Sequence, residues 1–135
     1  MITHRVIIDS DKDKQLLRHV AKAKKRFENA GIRLPKNIGS WMTPNKGGCA
    51  YHAKRRYWFT IPTHAKEGND DSYFEYYVIH EMSHIAQRMK YGSEVNPHGL
   101  EYYKVFSQVC PKKYWKWEFE YKPSFKRHLK KINGE

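Results

Sequence analysis

Two histidines four residues apart with a glutamate directly after the first, His80-Glu81-Met82-Ser83-His84, are the residues of this chain best suited to do chemistry. On a helix, residues four apart lie one turn apart on one face, so His80 and His84 can turn two imidazole nitrogens toward one metal ion. Glu81 follows about 100° round the axis, placed to act as a base on a water without being a ligand itself. The chemistry this spacing suits is zinc-assisted hydrolysis. A catalytic zinc takes three protein ligands and keeps a fourth position open. Downstream of the pair, His98 and Glu101 are candidates for the third ligand, with Glu94 a further option. A third histidine six residues after the second would mark a metzincin, but Lys90 stands there. Tyr77, one turn before His80 on the same flank, is a candidate donor to the transition state.

The elements that must position these groups follow from periodicity. The motif lies within a predicted helix from about Ser72 to Tyr91. There Phe74, Val78, Met82, Ile85 and Met89 form an apolar arc widened by Ala86 and Ile79, while His80, Glu81 and His84 fall outside it with Tyr73, Tyr77 and Arg88. Gly92 to Pro97 breaks that helix, and a second is predicted from about His98 to Val109, closed by Pro111. Upstream, Leu16, Val20, Ala23, Phe27 and Ala30 repeat at helical spacing after the candidate caps Asp9, Ser10 and Asp11, with Gly31 as the stop. Thr3 to Ile8 reads as a short strand or an extended arm. Between the first helix and the motif, Ile38–Met42, Cys49–His52 and Arg55–Ile61 read as three short strands, whose expected assembly is an antiparallel meander. The strand Arg55–Ile61 is the expected partner for an extended substrate.

After Pro111, Trp115, Trp117, Phe119 and Tyr121 alternate with Lys116, Glu118, Glu120 and Lys122, the period of a strand with one buried face. Ser124 to Ile132 reads as a short basic helix. The tail carries Lys112, Lys113, Lys116, Lys122, Lys126, Arg127, Lys130 and Lys131. Two readings stand: rings and lysines together form a stacking, phosphate-neutralising surface for single-stranded nucleic acid, or the rings face the core and the lysines are solvated.

The chain has 135 residues and a formal net charge of +12, from 26 Lys and Arg against 14 Asp and Glu. That length suits one domain. The charge surplus creates a positive field favouring DNA or another anionic partner. Cys49 and Cys110 are the only cysteines, too few for a zinc ribbon, and no segment reads as a secretory signal or a membrane span. The expectation is an intracellular, cytoplasmic or nucleoid-associated monomer with reduced thiols.

His80-Glu81-Met82-Ser83-His84, a gap of 13 residues, then His98-Gly99-Leu100-Glu101-Tyr102, resembles the SprT-like (Spartan-type) zinc metallopeptidase domain. That family's pattern is H-E-x-x-H followed by H-G-x-x-[F/W], with Tyr102 here at the aromatic position. The resemblance spans about residues 12–110, leaves 111–135 as a basic aromatic extension, and is to a minimal form without the C-terminal zinc ribbon. It implies an α+β, zincin-like fold: an N-terminal helix, a small three-stranded antiparallel sheet, the motif helix, and a following helix carrying the third ligand. It also implies that His98 is that ligand to one Zn2+ ion. Zinc would polarise a water, Glu81 would take its proton, and the substrate would be a protein, DNA-associated by the charge argument. Two alternatives are a nucleic-acid-binding protein with a structural or vestigial zinc site, and a metal-dependent hydrolase of a non-peptide substrate.

Overall fold

Asp13 opens the first described helix, α1 (Lys14–Asn29), its carboxylate accepting the Leu16 backbone N–H at 3.0 Å. The computed structural model describes residues 13–53, 56–67, 70–92 and 94–134, so the predicted arm Thr3–Ile8 and the candidate caps Asp9, Ser10 and Asp11 lie outside the described residues. Leu16, Val20, Ala23 and Phe27 form the buried face of α1, as their spacing requires.

Three strands follow: β1 (Ile38–Thr43), β2 (Cys49–Ala53) and β3 (Arg56–Pro62). Their order is β1-β3-β2, with β1 parallel to β3 and β2 antiparallel to it. The expected antiparallel meander is therefore wrong; it would have put β2 in the middle. The centre goes instead to β3, whose Phe59 and Ile61 are both 0% exposed. β2, reading Cys-Ala-Tyr-His-Ala, alternates exposed and half-buried and suits an edge. The Pro44–Gly48 connection spans the end of β3, which lets β1 pair on its far side.

Helix α2 (Ser72–Tyr91) runs through the middle of the molecule. Phe74, Val78, Ile79, Met82 and Ile85 are each 0% exposed, and each contributes about 1.5–3 kcal/mol of burial free energy. The polar flank is buried too, because further elements cover it: His80, Glu81, Ser83, His84 and Gln87 are all buried. Gly92 ends the helix at φ 84°, a left-handed backbone that favours glycine. Helix α3 (Leu100–Val109) starts two residues later than predicted. That leaves His98 and Gly99 in a turn built on Asn96, which accepts the His98 N–H on Oδ1 at 3.0 Å and the Gly99 N–H on its carbonyl at 3.1 Å.

The tail departs from the predicted strand. After a 3-10 turn at Lys112–Tyr114 it forms helix α4 (Trp115–Tyr121), then α5 (Phe125–Ile132). At about 100° per residue the four rings fall on two opposite sides of a helix, Trp115 with Phe119 and Trp117 with Tyr121, and here both sides have something to pack on. Phe119 stacks on the fully buried Phe125 and Trp115 meets it edge-on, while Trp117 lies against Tyr73, Tyr76 and Tyr114. The helical turn also carries Glu118 inward to 0% exposure, where a strand would have sent it to solvent with the lysines. Helix α5 matches expectation, with Phe125, Leu129 and Ile132 on the core side and Lys126, Arg127, Lys130 and Lys131 exposed. The chain is thus α+β with a mixed sheet, and among the described residues no helix is long and apolar enough to cross a membrane.

Candidate metal centre

The motif residues meet the third histidine at the crossing of α2 with the turn before α3. The Nε2 atoms of His84 and His98 are 3.1 Å apart, and the ligand atoms of His80, His84 and His98 all lie within 4.8 Å of one another. Two nitrogens about 2.05 Å from one tetrahedral ion would be ~3.3 Å apart, so the pair needs little adjustment to share a metal. Glu101 and Glu94 are not brought into this group; His98 is. The Tyr102 ring stacks on His84 with centroids 4.3 Å apart, and its hydroxyl donates to the His80 carbonyl at 2.9 Å, locking α3 to the motif.

Protonation suits ligation. Burial, with the neighbouring cationic groups, lowers His84 to about 2 and His98 to about 4, so both rings are neutral with lone pairs free. His80 is held differently. Its Nδ1 lies 2.7 Å from Glu118 Oε1, and a carboxylate acceptor requires Nδ1–H, which leaves Nε2 for a metal. Burial opposes charge on His80, but the Glu118 carboxylate outweighs it and raises its pKa. Glu118 also accepts the Tyr76 hydroxyl at 2.8 Å and the Tyr103 hydroxyl at 2.7 Å. Burial alone would raise the Glu118 pKa, yet these bonds and His80 bring it below its ordinary value. A carboxylate behind a ligating imidazole fixes its tautomer and orientation, the arrangement typical of histidine metal sites. Two neutral imidazoles, the convergence of all three and the carboxylate behind His80 fit a metal ion.

Glu81 stands apart from this support. It is 4% exposed and makes no hydrogen bond or ion pair with another described residue, while facing a cavity of about 200 Å³. Burial pushes its carboxyl up to about 7, with Glu118 adding to the rise and His80 opposing it. With no partner among the described residues, its carboxylate is left to the cavity. The three histidines line the same cavity, together with Gly48, Cys49 and Ala50 at the β2 end, Gln87 and Arg88 of α2, and Tyr121.

Compared with known proteins, the chain matches no family model, no curated protein and no solved structure. Its functional reading rests on the site itself.

Tyr77 is tied to the cavity wall. Its hydroxyl accepts the Gly48 N–H at 2.9 Å, and the tyrosine lining the cavity is Tyr121, with ring centroids 5.5 Å from His80 and 5.4 Å from His98. Gly48 is required by close approach: a Cβ there would lie 2.2 Å from the Thr60 carbonyl oxygen and 3.0 Å from the Tyr77 ring. The strand expected to pair substrate, now β3, has neighbours on both sides; β2, which among the described residues has a sheet neighbour on one side only, borders the cavity. The eight basic tail residues remain at or near the surface, and Lys112, Lys113, Lys116 and Lys122 sit over neighbouring rings at 4.8–5.8 Å. Trp115, Trp117 and Phe119 pack against the core, so the stacking surface imagined for the tail is largely used up within the fold. Glu118 and Tyr121 were missed as site residues. The available signal was an acid, Glu118, set four residues after Tyr114 and three before Tyr121, the spacing of one helical face.

Proposed function

We propose that this chain is a zinc-dependent peptidase of the zincin-like, SprT-like kind, cutting protein substrates held near nucleic acid. The observation that carries it is Glu81: a carboxylate with no partner among the described residues, facing a cavity beside three convergent imidazoles. A purely structural metal site has no use for such a base.

His80, His84 and His98 would hold the ion, with Glu118 keeping His80 in the ligating tautomer. Zinc bound there would act as a Lewis acid, acidifying water and neutralising developing negative charge. Glu81, its carboxyl pushed up to about 7, takes the proton of the attacking water and returns it to the leaving amine. Tyr121, in place of Tyr77, offers a phenol to the oxygen that gains charge. The outer edge of β2 pairs an extended peptide main chain, which gives binding with modest sequence selectivity. The net charge of +12 and the exposed basic face of α5 favour substrates bound to DNA. Both cysteines are unpaired, in keeping with a reducing compartment.

The test is hydrolysis of a basic DNA-bound protein, with and without single-stranded DNA. Cleavage is expected to stop with a chelator and return with stoichiometric zinc. Cleavage indifferent to the chelator would reject the reading, and DNA affinity indifferent to salt would remove the nucleic-acid part.

A further inference from the structure

Arg88 has no role in the chemistry above, yet it lines the same cavity, one turn beyond His84 on α2. Two other arginines have acids, Arg18 pairing with Asp71 at 2.7 Å and Arg26 with Glu75 at 3.0 Å, while Arg33, Arg56 and Arg127 are exposed to solvent. Arg88 pairs with no carboxylate among the described residues. Its guanidinium reaches Nδ1 of His52 on β2. Glu81, the one carboxylate lining this cavity among the described residues, sits seven residues back along α2, about 10 Å at 1.5 Å per residue. Gln87 does not compete, because its amide is committed to the Asn96 carbonyl at 2.8 Å. Gly92, Val95 and Pro97 close the remaining side without charge.

From this placement we infer that the Arg88 end of the cavity is a carboxylate-recognition pocket, taking either an acidic side chain or the C-terminal carboxylate of the peptide being cut. The inference rests on the peptidase reading and names the substrate class for it. At about 200 Å³ the whole cavity, metal site included, is smaller than the ~300–1,000 Å³ of pockets that enclose a drug-sized ligand, so its Arg88 end has room for no more than one side chain. A half-buried guanidinium between uncharged walls binds a carboxylate through two parallel N–H···O bonds, more strongly than at an open surface. The one-turn step from His84 to Arg88 is about 6 Å, or about two residues of extended peptide. The preferred acid therefore falls about two positions from the scissile bond.

The experiment compares matched peptides carrying Glu, Gln or Lys within two positions of the cut, each with a free or amidated C-terminus. Hydrolysis is measured with wild type, R88Q and R88E, and direct binding with the zinc-loaded E81Q protein and its R88Q double variant. Zinc content and melting temperature establish that each variant is folded. The expected result is a preference for Glu over Gln of about tenfold in both kcat/KM and binding, lost in R88Q and turned toward Lys in R88E. Dependence on the free terminus in place of the side chain would assign the pocket to a C-terminal carboxylate. Charge-selective binding without cleavage would support the pocket and reject the peptidase reading. Equal binding of Glu, Gln and Lys peptides with and without Arg88 would overturn the pocket, whatever the cleavage result.

Discussion

Replacing Glu118 by Gln removes one charge from behind His80 while keeping the side chain's shape. Glu118 is 0% exposed and accepts three hydrogen bonds, from His80 Nδ1–H and the Tyr76 hydroxyl on Oε1 and from the Tyr103 hydroxyl on Oε2. In E118Q the amide oxygen can still take His80 and Tyr76, and the NH2 group can donate to Tyr103, whose hydroxyl rotates to accept. The fold therefore survives, but His80 loses the carboxylate that strengthens it as a ligand. Loss of such a partner lowers metal affinity about 10–100-fold, or ~1.4–2.7 kcal/mol. Glu118→Ala is expected to be worse, leaving three buried donors without a partner at about 1–3 kcal/mol each. Zinc affinity is read by competition with a chromophoric chelator, and folding by thermal melting of the metal-free protein. The expected pattern is a melting temperature near wild type and weakened zinc binding for E118Q, with both properties lost for E118A. Wild-type zinc affinity in E118Q would refute the idea that the tail completes the metal site.

Other outcomes follow from the same structure. Gly48→Ala places a methyl group 2.2 Å from a backbone oxygen that cannot rotate away, so a stability loss of about 1–3 kcal/mol is expected in denaturant melts; an unchanged midpoint would contradict the close packing. For Glu75, burial opposes the charge, yet Tyr114, Arg26 and Lys22 hold its carboxyl below the ordinary value of 4.5. The folded state then binds fewer protons than the unfolded one, so this stabilisation is complete above about pH 4.5 and is lost as pH falls through the folded value. Glu75→Gln should flatten that acid limb of the melting profile, and an unchanged profile would be the contrary result. Tyr121→Phe should lower kcat about 10–100-fold with zinc affinity unchanged; equal turnover would show the phenol to be a bystander.

Much of this arrangement was legible in the sequence because it follows short-range rules. The His80-Glu81-x-x-His84 helix announced itself by spacing and by the segregation of its polar residues from the apolar arc. His98 was named as one candidate among three, and only the turn at Asn96 distinguishes it physically from Glu101 and Glu94. Strand order was not legible: which strand takes the centre depends on non-local pairing, and β3 won through Phe59 and Ile61. The tail misled because period-two alternation is a strand signal only when one face stays in water. Here rings pack on two opposite sides, and the charged residue of the alternation that matters, Glu118, is bound by groups 15 to 42 positions away.

The most direct test of the central claim is peptide hydrolysis by zinc-loaded E81Q beside wild type at matched zinc content. Glu81 sets no ligand distance and partners no described residue, so E81Q should bind one zinc ion as wild type does, with hydrolysis reduced about 10²–10⁴-fold. Full hydrolysis by E81Q carrying its zinc would contradict the account.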